Sequence, residues 1–430
     1  MLEKETPRAL EEALAALEHR FAALPDFPVS ATEGTSAVMA DVAARLGDNF
    51  PYFHPLYAGQ MLKPPHPVAR AAYALATWIN PNNHALDGGR ASSEMEREAV
   101  AQIAAMFGWR EHLGHLAGGG TMANLEALWV AGRLHPHKKI VASAQSHYTH
   151  ERISGVLQLP FAKVATDTRG RIDPSALECM LKAGDIGCVV ATLGTTATGS
   201  VDPLPEILAL RERYGFRLHA DAAYGGYFGL ADNLGPEARA AFDRISEADS
   251  IVIDPHKHGL QPYGCGCVLF RDPAVGALYR HDSPATYFSS RQPHLGEISL
   301  ECSRPGASAV ALWATMRLLP LVRGGVFAQG LSACRRAALA FHARLAADGR
   351  FIAPFEPQLD IVVWAPRNGS AQRIFDEAAK RNLHLALARL PGVFFGKTEE
   401  ILALRSVLMK PEHEQWIGRI WEILDEATNA

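Results

Sequence analysis

Cysteine is scarce in this chain, with six in 430 residues, at positions 179, 188, 265, 267, 302 and 334. Scattered in this way they exclude a disulfide framework and suit a reducing, cytoplasmic setting. Cys265-Gly266-Cys267 is a close pair, but no second pair stands nearby to complete the four ligands of a structural metal site. Excess charge is also lacking. Lys and Arg number 42 against 46 Asp and Glu, a net charge of −4, so there is no electrostatic case for nucleic acid or an anionic membrane. No apolar run approaches the length of a membrane span, and Met1-Leu2-Glu3-Lys4-Glu5 lacks the apolar core of a signal peptide. Internal repeats and low-complexity stretches are absent. What remains is an ordinary globular composition, 48% hydrophobic and 20% charged, long enough for two domains or one large domain with an appendage.

Helical spacing of Leu10, Leu14, Leu17 and Phe21 predicts a first helix over residues 6–24, ended by Pro25. Further helices are expected over 36–46, 69–79 and from a Ser92 or Ser93 cap to Phe107, with Pro81 to Gly89 as a loop between. From residue 140 to 325 strands and helices alternate. Strand-like runs lie at 140–144, 163–166, 187–193, 217–220, 251–253 and 265–270, and helix-like stretches at 122–134, 174–183, 204–214 and 236–241. Such alternation predicts an α/β fold with a mostly parallel sheet flanked by helices. A long apolar helix over 307–319 precedes a smaller C-terminal unit with strands near 361–364 and 402–409 and a closing helix over 412–423.

Four segments carry polar chemistry. Ile251-Val252-Ile253 reads as a buried strand, broken by Asp254-Pro255, so Lys257 stands at its carboxyl end between His256 and His258. That edge of an open α/β sheet is where ligands bind, and a partly desolvated lysine forms Schiff bases. A surface lysine is the plainer reading. Gly118-Gly119-Gly120-Thr121 runs into a helix start, where free N–H groups make a phosphate site or the glycines make a simple turn. No lysine follows them, which argues against a nucleoside triphosphate. Asp221 ends the strand-like run of Arg217 to Ala220, where it could pair with a cationic ring nitrogen or cap a helix. His147 follows another strand closely and could stack on a flat cofactor, or form a metal pair with His150 for which no third ligand is evident. Ala191-Thr192-Leu193-Gly194-Thr195-Thr196 again empties a strand into small hydroxylated residues. Together these are the needs of pyridoxal phosphate: a phosphate cradle, a pyridinium partner, ring support and a Schiff-base lysine.

Asp254-Pro255-His256-Lys257, His219-Ala220-Asp221-Ala222-Ala223-Tyr224, the Ala191–Thr196 stretch and the Gly118–Asn124 loop together resemble the group II pyridoxal-phosphate-dependent amino acid decarboxylases, such as the aromatic-L-amino-acid and glutamate enzymes. The resemblance spans residues 50 to 410. It implies fold type I, with an N-terminal helical segment over 1–60 packing in a homodimer, a large cofactor domain over 61–325 and a small C-terminal α/β domain over 326–430. It implies that Lys257 binds the cofactor aldehyde, Asp221 pairs with the pyridine nitrogen, and His147 and Ala223 lie on opposite faces of the ring. Gly119, Gly120, Thr121 and His256 fall near the phosphate and Thr196 near the ring.

Pro81 to Gly89 departs from the family pattern, and the stretch from Thr286 to Gly306 has no obvious counterpart of the lid tyrosine that donates a proton in aromatic decarboxylases. His294 is the expected substitute, with His147, Tyr287 or water as alternatives. Tyr52, Phe53, Tyr57 and His84 suggest an aromatic-lined pocket and an aromatic substrate, unless they pack in an interface. Arg405, in an apolar strand-like run, is expected either to contact a substrate carboxylate or to bridge the domains. The expected reaction releases CO2 and the amine from a small L-amino acid. The rivals are a fold type I aminotransferase or another pyridoxal-phosphate lyase.

Overall fold

The alternating runs from Lys139 onward do assemble into one sheet, and a strand ahead of them completes it. The computed structural model describes residues 4–25, 33–280 and 295–430. Seven strands form the large sheet: β1 (Leu113–Ala117), β2 (Lys139–Ser143), β3 (Phe161–Val164), β4 (Ile186–Thr192), β5 (Arg217–Asp221), β6 (Ser250–Ile253) and β7 (Gly266–Phe270). Their spatial order is β1-β7-β6-β5-β4-β2-β3. The strands from β3 across to β6 are parallel, whereas β7 runs antiparallel to both its neighbours. Burial on both faces explains the unbroken apolar runs of β4 and β6. Val252 packs with Ala123, Ala127 and Val130 of the helix Gly120–Leu134. Ile251 and Ile253 point the other way, into the core shared with Ile207, Phe228 and Phe242.

A second sheet is wholly antiparallel, with β8 (Phe351–Ile352), β9 (Ile361–Pro366), β10 (Ala386–Leu390) and β11 (Ile401–Val407) in the order β10-β11-β9-β8. Helices Val326–Ala347, Ala371–Lys380 and His413–Asn429 supply Phe341, Ile374, Ile417 and Leu424 to a core around the fully buried Trp364. The indole N–H of Trp364 donates to Ser406 Oγ at 3.1 Å. Tyr57 to Gly59 reaches across the chain to this sheet: Ala58 N–H donates to His384 O and Val407 N–H to Ala58 O.

The sequence reading missed β1, β8 and β10. Each is short or interrupted by a residue of low strand propensity, and β1 exists because β7 offers an open edge. Gly114 fits there because a Cβ at that position would stand 2.5 Å from the Leu269 side chain. The expected cap at Ser92 or Ser93 is also corrected. The helix runs Leu86–Met106 and is kinked where Gly89 leaves helical geometry. Both serines lie buried inside it, and Ser92 Oγ donates to Asn83 Oδ1 and Gly89 O instead of accepting from a free backbone N–H as a cap would. Gly88 and Gly89 therefore belong to the helix, not to the loop.

The kink is tied down by a buried ion pair. Arg304 and Glu96, 5% and 1% exposed, meet at 2.7 Å. Glu96 also accepts from Asn83 Nδ2 and from Leu116 N–H, and Arg304 donates to Leu116 O. Removing the guanidinium strands a carboxylate in the core. Arg304→Met should lower the unfolding free energy by about 3–5 kcal/mol in chemical denaturation.

Candidate active site

The carboxyl ends of β4, β5 and β6 open onto one cavity of about 310 Å³. Its wall holds Gly119, Gly120, Thr121, His147, Thr196, Asp221, Ala223, His256 and Lys257, so nine positions scattered over more than a hundred residues of sequence converge there. Parallel strands cause this, since each delivers its last residue to the same edge.

The glycine turn is shaped by the backbone. Gly119, the residue before the helix Gly120–Leu134, has φ +144° and ψ 175°, a conformation essentially confined to glycine. Gly266 of β7 lies beneath it, and a Cβ there would stand 2.5 Å from the Gly119 carbonyl carbon. A Cβ at Gly120 would meet Asp254 Oδ2 at 2.7 Å. The turn thus presses backbone against backbone and leaves the first N–H groups of a fifteen-residue helix facing the cavity.

Asp221 is 5% exposed. Its Oδ2 accepts from His150 Nε2 at 2.8 Å and its Oδ1 from Ala223 N–H at 3.1 Å. Burial pushes the carboxyl up, but the hydrogen bond and charge of His150, helped by Lys257, outweigh it and hold the group ionised well below the usual carboxylate range. His219, two residues earlier, is locked by Ser250 Oγ at 2.9 Å and Asn124 Oδ1 at 2.8 Å, and burial pushes it down to about 3. Lys257 Nζ stands 3.0 Å from Asp254 Oδ2. His256 Nδ1 donates to Cys265 O at 2.8 Å, and its ring packs against Tyr263. His147 is half-buried; its Nδ1 accepts from Thr149 N–H at 3.3 Å and lies 2.8 Å from Thr149 Oγ1, which leaves the ring proton on Nε2. Burial lowers its pKa, so the imidazole is neutral near pH 7.

Two residues hold roles here that the sequence pattern does not show. His150 is the donor to Asp221, not a metal partner of His147, because the helix Thr149–Val156 turns it inward while His147 stays at the cavity wall. Asp254 ends β6 as expected, and its place three residues before Lys257 also puts its carboxylate beside the amine. Other expected residues do not line the cavity. The Tyr57 ring is held among Phe50, Tyr52 and His384, with centroids 4.9 to 6.2 Å away, because its main chain pairs with the small sheet. Phe53 is exposed, and His84 lies against Gly88 beside the helix kink. Arg405 stops at the rim. It donates to Thr196 O at 3.0 Å, Gly59 O at 3.2 Å and Gln60 Oε1 at 2.7 Å, which is no salt bridge. His294 and Tyr287 lie outside the described residues.

Pyridoxal phosphate fits this wall on the polar atoms it leaves over. Thr192 Oγ1 and Asp254 Oδ1 are buried and without a partner, beside a glycine turn at a helix start and an ionised aspartate. Residues 34–366 match the model of the pyridoxal-dependent decarboxylase conserved domain. The chain is 27% identical over 376 residues to a probable L-tyrosine/L-aspartate decarboxylase of Methanopyrus kandleri, covering 85% of this chain and 94% of that one. It is 29% identical to an L-tyrosine decarboxylase of Enterococcus faecium, over 62% of this chain and 60% of the relative. The crystal structure of Oryza sativa TDC with PLP and tryptamine superimposes with a TM-score of 0.81 at 18% identity, over all of this chain and 98% of that one. The fold is therefore fold type I of the pyridoxal-phosphate enzymes. The chain belongs to the pyridoxal-dependent decarboxylase family. Its activity is the pyridoxal-phosphate-dependent decarboxylation of an amino acid.

A hydrogen bond to a charged group contributes about 1.5–3 kcal/mol, so losing the one from His150 to Asp221 should slow turnover about 10- to 100-fold. His150→Phe should show that loss and shift the absorbance of the bound cofactor. His150→Gln, which keeps an N–H donor, should recover part of both. Equal rates in all three proteins would remove His150 from the site.

Proposed function

We propose that Lys257 carries the cofactor and that the substrate is an L-amino acid with an aromatic side chain. The observation that carries this reading is the convergence of Lys257, Asp221, His147 and the glycine turn on one cavity, with a buried, acid-free arginine at its rim. When bound, pyridoxal phosphate supplies the electron-accepting ring that carboxylate loss requires. Asp221, kept anionic, is suited to holding a proton on the ring nitrogen. His147 and Ala223 bracket the space for a flat ring. The phosphate belongs at Gly119, Gly120 and Thr121, where helix N–H groups and the dipole favour an anion. Asp254 Oδ2 is placed to take a proton from Lys257 Nζ and return it. His147 is the imidazole on the described cavity wall beside the space for the ring, and in its protonated form it would serve as the acid toward the alpha carbon.

Arg405 is 7% exposed, and its Nε is buried without a partner. Its bonded partners are two carbonyls and an amide oxygen, so its charge is uncompensated. That favours reception of the substrate carboxylate over a bridge between the sheets. Among the described cavity-lining residues, Lys257 is the single Lys or Arg, and it faces Asp254. A second carboxylate, as in aspartate, thus finds no cation of its own there. This supports the aromatic half of the tyrosine and aspartate pair named for the Methanopyrus relative.

We further propose a homodimer in the cytoplasm. Every residue of the helix Thr35–Leu46 is exposed in the single chain, including Val38, Met39, Val42 and Leu46 on one apolar stripe, which a second copy would cover. All six cysteines are free.

CO2 release across the common amino acids, with added cofactor, tests the substrate. Tyrosine or another aromatic amino acid should lead, with the matching amine formed; preference for aspartate, or keto acid without CO2, overturns the reading. Borohydride should fix the cofactor to Lys257, and Lys257→Ala should lose turnover by orders of magnitude. Arg405→Lys keeps charge and loses the fork. It should raise KM about 10- to 100-fold, the worth of one charged hydrogen bond. An unchanged KM with a lowered melting temperature would make Arg405 structural.

A further inference from the structure

A second cavity, of about 360 Å³, lies behind the lysine hairpin and shares no residue with the cofactor wall. It is bounded by the stretch Lys63 to Pro67, the first turn of the helix Pro67–Thr77, Leu260 and the turn Lys410 to Glu412. Its charged lining is lopsided. Lys63, Arg70 and Lys410 face a single acid, Glu412. Among the described residues none of the three cations makes a salt bridge. Lys410, 3% exposed, donates to Tyr57 O at 2.7 Å and lies over the Tyr57 ring. Lys63 donates to Met409 O at 3.2 Å. The Nε of Arg70 is buried without a partner. Glu412 is exposed, on the outer side of the turn.

Gathering three partly or wholly buried cations around one cleft is costly unless something answers their charge. Burial, with the Lys63 charge added, pulls the Lys410 ammonium down to about 7. Burial lowers Lys63 as well. The cavity also adjoins the N-terminal end of an eleven-residue helix, whose dipole favours negative charge. Carbonyl partners cannot neutralise a cation; an oxyanion can, and it would also give the Arg70 Nε a partner.

We propose that this cavity is a second anion site, built for a small oxyanion of the phosphate class held by Lys63, Arg70 and Lys410. The site stands apart from the cofactor phosphate. It touches two segments that carry the chemistry, since Leu260 follows Lys257 by three residues and Lys410 follows Arg405 by five. Occupancy therefore braces the lysine hairpin against the C-terminal sheet.

The test titrates the holoenzyme, whose cofactor site is already filled, with inorganic phosphate in a zwitterionic buffer at constant ionic strength. Calorimetry should show saturable binding of one phosphate per chain, and the melting temperature should rise with occupancy. Lys63→Met, which keeps the length of the side chain and removes its charge, should weaken binding at least tenfold and abolish the rise. Glu412→Gln removes the opposing charge and should tighten binding several-fold, an effect that misfolding cannot mimic. Both variants should keep the cofactor absorbance of the parent protein. No saturable binding to the holoenzyme, or equal affinity in the parent and both variants, would overturn the proposal.

Discussion

A carboxylate kept ionised in the interior is the constraint around which this molecule is arranged. Asp221 sits at the end of a central strand, with β4 and β6 on either side, and is almost wholly buried, so little water solvates the charge. The charge persists only because His150 and the Ala223 N–H are already in place. That requires the helix Thr149–Val156 to turn His150 inward, and small residues after Asp221 so that the chain can fold back at once. His219, held neutral between Ser250 and Asn124, fixes the strand and the glycine-turn helix to one another. Asp221, its donor His150 and the helix that follows the glycine turn are therefore tied into one hydrogen-bonded assembly, and its precision derives from the sheet rather than from any loop.

The same economy governs the junction between the two sheets. Tyr224, three residues after Asp221, donates to Asp360 Oδ1 at 2.6 Å, just before β9. Arg405 in β11 donates to Thr196 O, just beyond β4. Gly225 permits the approach, since a Cβ there would stand 2.9 Å from Leu359 Cδ1, just before β9. Buried polar groups on one unit are thus satisfied by the other, and movement of the C-terminal sheet would expose donors on both. Arg405 is the exception: its partners are neutral, and its charge is left facing the rim of the cavity.

Sequence pattern alone determined a good deal. The parallel sheet followed from apolar runs alternating with helical spacing, because strands buried on both faces must be continuously apolar. Lys257, Asp221 and His147 were legible because each closes such a run, and in this architecture the ends of the strands meet; the Gly118–Thr121 turn was legible because its glycines run into a helix start. Tertiary structure decided what spacing does not encode. His147 and His150 are three residues apart and chemically identical, yet one faces the cavity and the other the interior, since a helix starts between them. Tyr57 reads as a pocket aromatic but is drawn away by a main-chain bridge to His384, more than three hundred residues distant. Arg405 reads from sequence as a buried charge in an apolar run, and only the fold shows that its partners are the neutral oxygens of Thr196, Gly59 and Gln60. Local pattern records which residues must be buried; which partner each finds there depends on contacts between segments far apart in the chain.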